Sequence, residues 1–88
     1  MLFMSVFTYE PDKRDAVIRK RMEIGLDAPG VKVLGQWSYL GLGRVFTLTD
    51  TADPVAVYKM MAPYGNLGKF EIFPLLETTQ ILQLIAAK

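Results

Sequence analysis

An α+β domain is what this sequence predicts: a four-stranded antiparallel sheet with two crossover helices and a short C-terminal helix. Three observations carry the prediction. Four runs rich in Val, Ile, Phe, Tyr or Trp alternate with stretches of helical spacing, in the order strand, helix, strand, strand, helix, strand. The segment Gln36 to Pro54, QWSYLGLGRVFTLTDTADP, reads as a strand, a tight glycine turn, a second strand and the start of a helix. Finally, 88 residues are enough for one small domain, so residues 1–88 are read as a single unit.

The first strand, Leu2 to Tyr9, is stopped by Glu10-Pro11. Leu2, Met4 and Val6 fall on one face and Phe3, Phe7 and Tyr9 on the other, so both faces are apolar and both need cover. A helix follows over Asp12 to Ile24, with Asp12 as N-cap and Gly25 as its stop. Val17, Ile18, Met22 and Ile24 share an arc at helical spacing, and Arg14 and Arg21 lie within the same arc. Two readings of these arginines stay open: stems that pack while the heads reach water, or an anion site beneath the helix.

After the loop Leu26 to Gly30, a second strand runs from Val31 to Tyr39. Strict alternation puts Val31, Val33, Gly35, Trp37 and Tyr39 on one side and Lys32, Leu34, Gln36 and Ser38 on the other. Its mixed face suits a sheet edge. A type II′ turn at Gly41-Leu42 would pair Tyr39 with Arg44 and Trp37 with Phe46. Asp53 then caps a second helix that opens on Pro54, ends before Pro63 and turns Val57, Met60 and Met61 inward. The fourth strand, Lys69 to Leu76, carries Pro74 and so belongs at an edge. Thr78 can cap a last helix with Ile81, Leu82, Leu84 and Ile85.

This order is the split βαβ pattern of the ferredoxin-like fold, with the first and third strands central and both main helices on one face. Met4, Val6, Phe46, Leu48 and Ile72 are expected beneath the helices. The other face would then carry Phe3, Phe7, Tyr9, Leu34, Val45, Phe73 and Leu75, with Ser5, Gln36, Thr47 and Glu71 among them. Hydrophobic residues make up 51% of the chain and charged ones 22%, more apolar surface than a small monomer covers by itself. Two copies meeting through the open sheet face would cover the excess, burying roughly 1,500 Å² or more.

The residues also exclude functions. A net charge of +1 does not advertise nucleic acid or an anionic membrane as partner. The absence of cysteine and histidine removes thiol chemistry, the commonest general base and the commonest metal ligands, so no metal site and no cofactor are expected. Neither a signal peptide nor a membrane span is read, and a cytoplasmic protein is expected. An RNA-recognition sheet needs exposed aromatics on the central strands, which Arg44-Val45-Phe46-Thr47-Leu48 does not supply. Glu10-Pro11-Asp12 is the wrong chemistry for a phosphate loop.

Several stretches together resemble a small family of unknown function within the dimeric α+β barrel superfamily. They are Met1-Leu2-Phe3-Met4, Gly35 with Trp37, Arg44-Val45-Phe46-Thr47-Leu48, Asp50-Thr51-Ala52-Asp53-Pro54 and Phe70-Glu71-Ile72-Phe73-Pro74. The resemblance implies a homodimer with a barrel at its centre. Haem-degrading members of that superfamily use a histidine ligand, which this chain lacks.

Two functions remain compatible with the residues. One is a non-catalytic module that binds a small hydrophobic ligand or only assembles. The alternative, which the resemblance allows, is a cofactor-free monooxygenase or isomerase acting in the barrel cavity. Glu71 is the candidate acid–base group because it is the one carboxylate placed on the open face, where aromatic neighbours would desolvate it. Ser5, Trp37, Arg44, Thr47 and Tyr64 complete the ligand-binding candidates: hydroxyls beside Glu71, aromatic walls, and a cation by the hairpin turn.

Overall fold

The computed structural model describes residues 1–87. Its elements are β1 (Leu2–Thr8), α1 (Arg14–Ile24), β2 (Lys32–Ser38), β3 (Arg44–Asp50), α2 (Pro54–Met61), β4 (Lys69–Leu75) and α3 (Thr78–Ala86), with single 3₁₀ turns at Pro11–Lys13 and Ala62–Tyr64. The sheet order is β2-β3-β1-β4 and every neighbouring pair is antiparallel. This is the expected α+β, ferredoxin-like arrangement, with β1 and β3 central, and β2 and the proline-bearing β4 at the edges.

Local chemistry explains most element ends. The Asp53 carboxylate accepts the Val55 N–H at 3.0 Å, and Pro54 opens α2, as its sequence requires. Thr51 secures the approach: its hydroxyl donates to the Gly30 carbonyl at 2.7 Å and accepts the Asp53 N–H at 3.1 Å. Gly25, at φ 75°, stops α1. Asp12 lies in the 3₁₀ turn and does not cap α1, whose first residue is Arg14. The cap of α3 is Glu77 rather than Thr78, with the Gln80 side chain accepting the Glu77 N–H at 3.3 Å.

The β2–β3 hairpin has the expected register, Trp37 opposite Phe46 and Gln36 opposite Thr47, but not the expected turn. The Leu42 N–H donates to the Tyr39 carbonyl at 2.8 Å, and the positive φ angles fall on Leu42 (62°) and Gly43 (93°), not on Gly41. Gly43, not Gly41, is therefore the residue whose missing Cβ the turn needs. A register shift between Val33 and Gly35 also breaks the alternation expected for β2, so Val33 pairs with Thr49 while Gly35 pairs with Leu48.

The largest departure is which face the helices cover. Phe3, Ser5, Phe7 and Tyr9 of the first strand are buried, as are Thr47 and Thr49 of β3, whereas Leu2, Met4, Val6, Phe46 and Leu48 are only partly buried. Cross-strand pairing fixes the sets: Ser5 stands between Thr47 and Ile72, and Val6 between Phe46 and Glu71. The helices thus cover Phe3, Ser5, Phe7, Val45, Thr47 and Ile72, the reverse of the expectation for β1, for β3 and for β2 beyond its register shift, while β4 faces as expected. Packing of the β1 aromatics decides it. Phe7 and Tyr9 stack at 5.8 Å, and with Val17 they form a cluster that also takes in Val45, Tyr64, Leu67 and Phe70. Along β1 the aromatic set is the one withdrawn from water. Val57 and Met61 of α2 complete this side.

The open face carries Met4, Val6, Trp37, Phe46, Leu48, Glu71, Phe73 and Leu75; Trp37 is 53% exposed and Phe73 44%. No residue of α3 is buried, and Ile81, Leu82, Leu84 and Ile85 are exposed. The molecule is accordingly elongated, 51 × 28 × 18 Å.

Candidate functional site

Helix α1, RDAVIRKRMEI, is charged around most of its circumference, and Val17 is its one buried residue. Of the arc expected to face inward, Ile18, Met22 and Ile24 stay exposed. The helix buries Val17 against the sheet, and Arg21 reaches β2, but most of its surface stays exposed. A groove results between α1, α2 and the β2–β3 half of the sheet, in two adjoining clefts of about 610 and 250 Å³. The larger is walled by α1, the loop Gly25 to Gly30 and α2. The smaller is floored by Phe7 and Val45 and is mostly apolar. Arg21, Gln36, Met61 and Tyr64 line both.

A polar chain crosses the groove where the clefts meet. The Arg21 Nε–H donates to Gln36 Oε1 at 2.9 Å, and Gln36 Nε2–H donates to Thr47 Oγ1 at 3.0 Å. The chain has a fixed sense, because a guanidinium only donates and so commands the amide oxygen of Gln36. All three side chains are at least partly buried. Among the described residues the ion pairs are Met1–Asp50 and Arg14–Asp15, so Arg21 has no carboxylate partner there. Tyr64 stands beside this cation, its ring 5.6 Å from that of Phe7. Burial raises the Tyr64 phenol above the usual tyrosine range, and the positive charge of Arg21 pulls the other way.

The sheet divides the candidates read from the sequence. Thr47 and Tyr64 line the groove. Ser5 lies on the same side as Thr47, 1% exposed, and its hydroxyl has no hydrogen-bond partner. Trp37, Arg44 and Glu71 lie on the opposite, open face and are exposed. Glu71 does share a face with Phe73, as expected, but its cross-strand neighbour is Val6. The expected grouping of Glu71 with Ser5, Thr47, Phe3 and Phe7 is therefore not found, because β1 and β3 turn those residues to the helices.

Gln36 and Met61 belong to the groove; the sequence turns Met61 inward and sets Gln36 on a sheet face but marks neither as a ligand-binding candidate. A signal existed for Gln36: the hairpin register already set its long amide opposite Thr47. The sequence leaves Arg14 and Arg21 open between packed stems and an anion site beneath α1; Arg21 lines the groove, whereas Arg14 is exposed and pairs with Asp15.

Among the described residues no group of three or more His, Cys, Asp or Glu is placed to hold a metal ion. No described helix is long and apolar enough to cross a membrane. The chain belongs to the family described as domain of unknown function DUF3303, whose model matches residues 1–88. No match is found among curated proteins.

Proposed function

We propose that this DUF3303 domain is a small-molecule-binding module whose ligand site is the groove between α1, α2 and the sheet, and that it works as a homodimer joined through the open sheet face. The observation that carries the binding reading is the groove itself: an apolar recess crossed by a few convergent polar groups, the usual composition of a ligand pocket. The apolar open face, with Trp37 and Phe73 exposed, supports the dimer. Glu71 would then face a cation of a second copy, since the sheet separates it from Thr47.

Cofactor-free oxygenase or isomerase chemistry is the less favoured reading, because of where the carboxylates stand. Those lining the clefts are Asp27 and Asp53, and Asp53 is engaged as the α2 cap. A base for that chemistry would have to be Glu71, acting between two sheets on the far side from the groove.

The test is a titration of the ¹⁵N-labelled chain with a neutral aromatic probe, 1-naphthamide. Saturable amide shifts at Gln36, Val45, Met61 and Tyr64 are expected. Shifts confined to Trp37, Phe46 and Phe73, or none at millimolar concentration with either this probe or its carboxylate analogue, would overturn the groove as the binding site. Sedimentation of a stable monomer at micromolar concentration would overturn the dimer.

A further inference from the structure

Arg21 is the feature of the groove that the fold itself does not require. Its guanidinium is partly buried, and its Nε–H is fixed by Gln36. A cation withdrawn from water without a counter-charge is costly, and an anion that completes its hydrogen bonds recovers that cost. The two nearby carboxylates do not serve: Asp27 and Asp53 line the larger cleft, yet neither forms an ion pair with Arg21. The Gln36–Thr47 link holds the guanidinium where the two clefts meet, so its outer N–H groups are preset for an incoming acceptor. Beyond it, the smaller cleft offers an apolar bed of Phe7, Val45 and Met61, closed at one side by Tyr64. Its 250 Å³ is small for a ligand pocket and admits a body of one or two rings.

Resting on the binding reading above, we propose that the groove takes a small apolar monocarboxylate, with its carboxylate on Arg21 and its hydrocarbon body in the cleft over Phe7, Val45 and Met61. A single fixed guanidinium matches one carboxylate through paired N–H donors. A phosphate dianion would call for further cations, and Lys59 lines only the larger cleft.

The experiment compares three probes of one shape, 1-naphthoate, 1-naphthamide and 1-naphthyl phosphate, titrated into the full chain at neutral pH and followed by amide shifts. Naphthoate should bind about tenfold to a hundredfold more tightly than naphthamide. Arg21→Gln should erase that preference, and Arg21→Lys should keep part of it. Because the wild-type ratio needs no variant, a misfolded Arg21→Gln would still leave the proposal testable. Equal binding of naphthoate and naphthamide would overturn the carboxylate assignment and leave the binding reading standing. Tighter binding of the phosphate would overturn it in favour of a phosphate ester. Binding of none of the three would overturn both.

Discussion

Gly68 offers the sharpest test of how the groove floor is built. It sits just before β4, where a Cβ would run into the backbone carbonyl of Thr8 and lie 2.9 Å from Phe7 Cζ. Neither neighbour yields easily. Thr8 is held in the β1–β4 ladder opposite Lys69, and the Phe7 ring is packed against Tyr9 and Tyr64. Gly68→Ala therefore overpacks a buried contact, at a cost of about 1–3 kcal/mol. For a domain of this length that is a fall in Tm of roughly 5–20 °C. Gly41→Ala is the matched control. Its Cβ would meet only the exposed ring of Tyr39, which is free to swing aside, so its effect should stay within about 0.5 kcal/mol. Thermal unfolding followed by circular dichroism reads both. A Gly68→Ala melt that overlays the parent, or a Gly41→Ala as damaging as Gly68→Ala, would refute the packing described for Phe7.

Asp53→Ala should cost about 1 kcal/mol by leaving the Val55 N–H uncapped, and an unchanged denaturant midpoint would remove Asp53 from that role. Gly43→Val should cost about 1–2 kcal/mol because its φ is 93°, whereas the same change at Gly41 should cost less; the reverse order in urea melts would place the turn elsewhere. The Tyr64 phenol is raised by burial, so the folded state keeps its proton longer than the unfolded state does. Its contribution is intact below the unfolded value near 10.0 and is lost as the pH climbs through the folded value. Stability should therefore decline as the pH rises above about 10.0, and Tyr64→Phe should remove part of the decline; parallel pH–stability curves for parent and variant would show that Tyr64 is not the group.

Element order was legible because its punctuation is local. Glu10-Pro11, Asp53-Pro54 and Pro63 each act within a residue or two of themselves, and the hairpin register needed only the short loop between Tyr39 and Arg44. What was not legible depends on distant packing. Alternation in β1 sorts Phe3, Phe7 and Tyr9 from Met4 and Val6, but with both sets apolar it does not say which set the helices claim. With β4 assigned to the right face, that error set Ser5 and Thr47, which pair across β1 and β3, on the same face as Glu71. The shift between Val33 and Gly35 had one sign in advance: a glycine inside a strand, often the mark of a bulge. The hairpin glycines were ambiguous because Gly-Leu-Gly allows the left-handed residue at either end, and the chain places positive φ on Leu42 and Gly43.

The division of the candidates by the sheet is itself informative. On the helix side the central strands bury Ser5, Thr47 and Thr49, residues small enough to leave space beneath two helices that touch the sheet at few points. A face lined this way seals poorly, and the groove is the consequence. On the other side Met4, Trp37, Phe46, Leu48 and Phe73 offer a broad apolar surface, with Glu71 on its β4 edge and Asp50 at the end of β3. No residue of the groove's polar chain reaches that surface, since Gln36 and Thr47 point away from it by strand alternation. The proposed occupation of the groove and the proposed assembly through the open face would thus draw on different side chains of the same strands. Any coupling between them would have to pass through the backbone of β1, β2 and β3 rather than through a shared side chain.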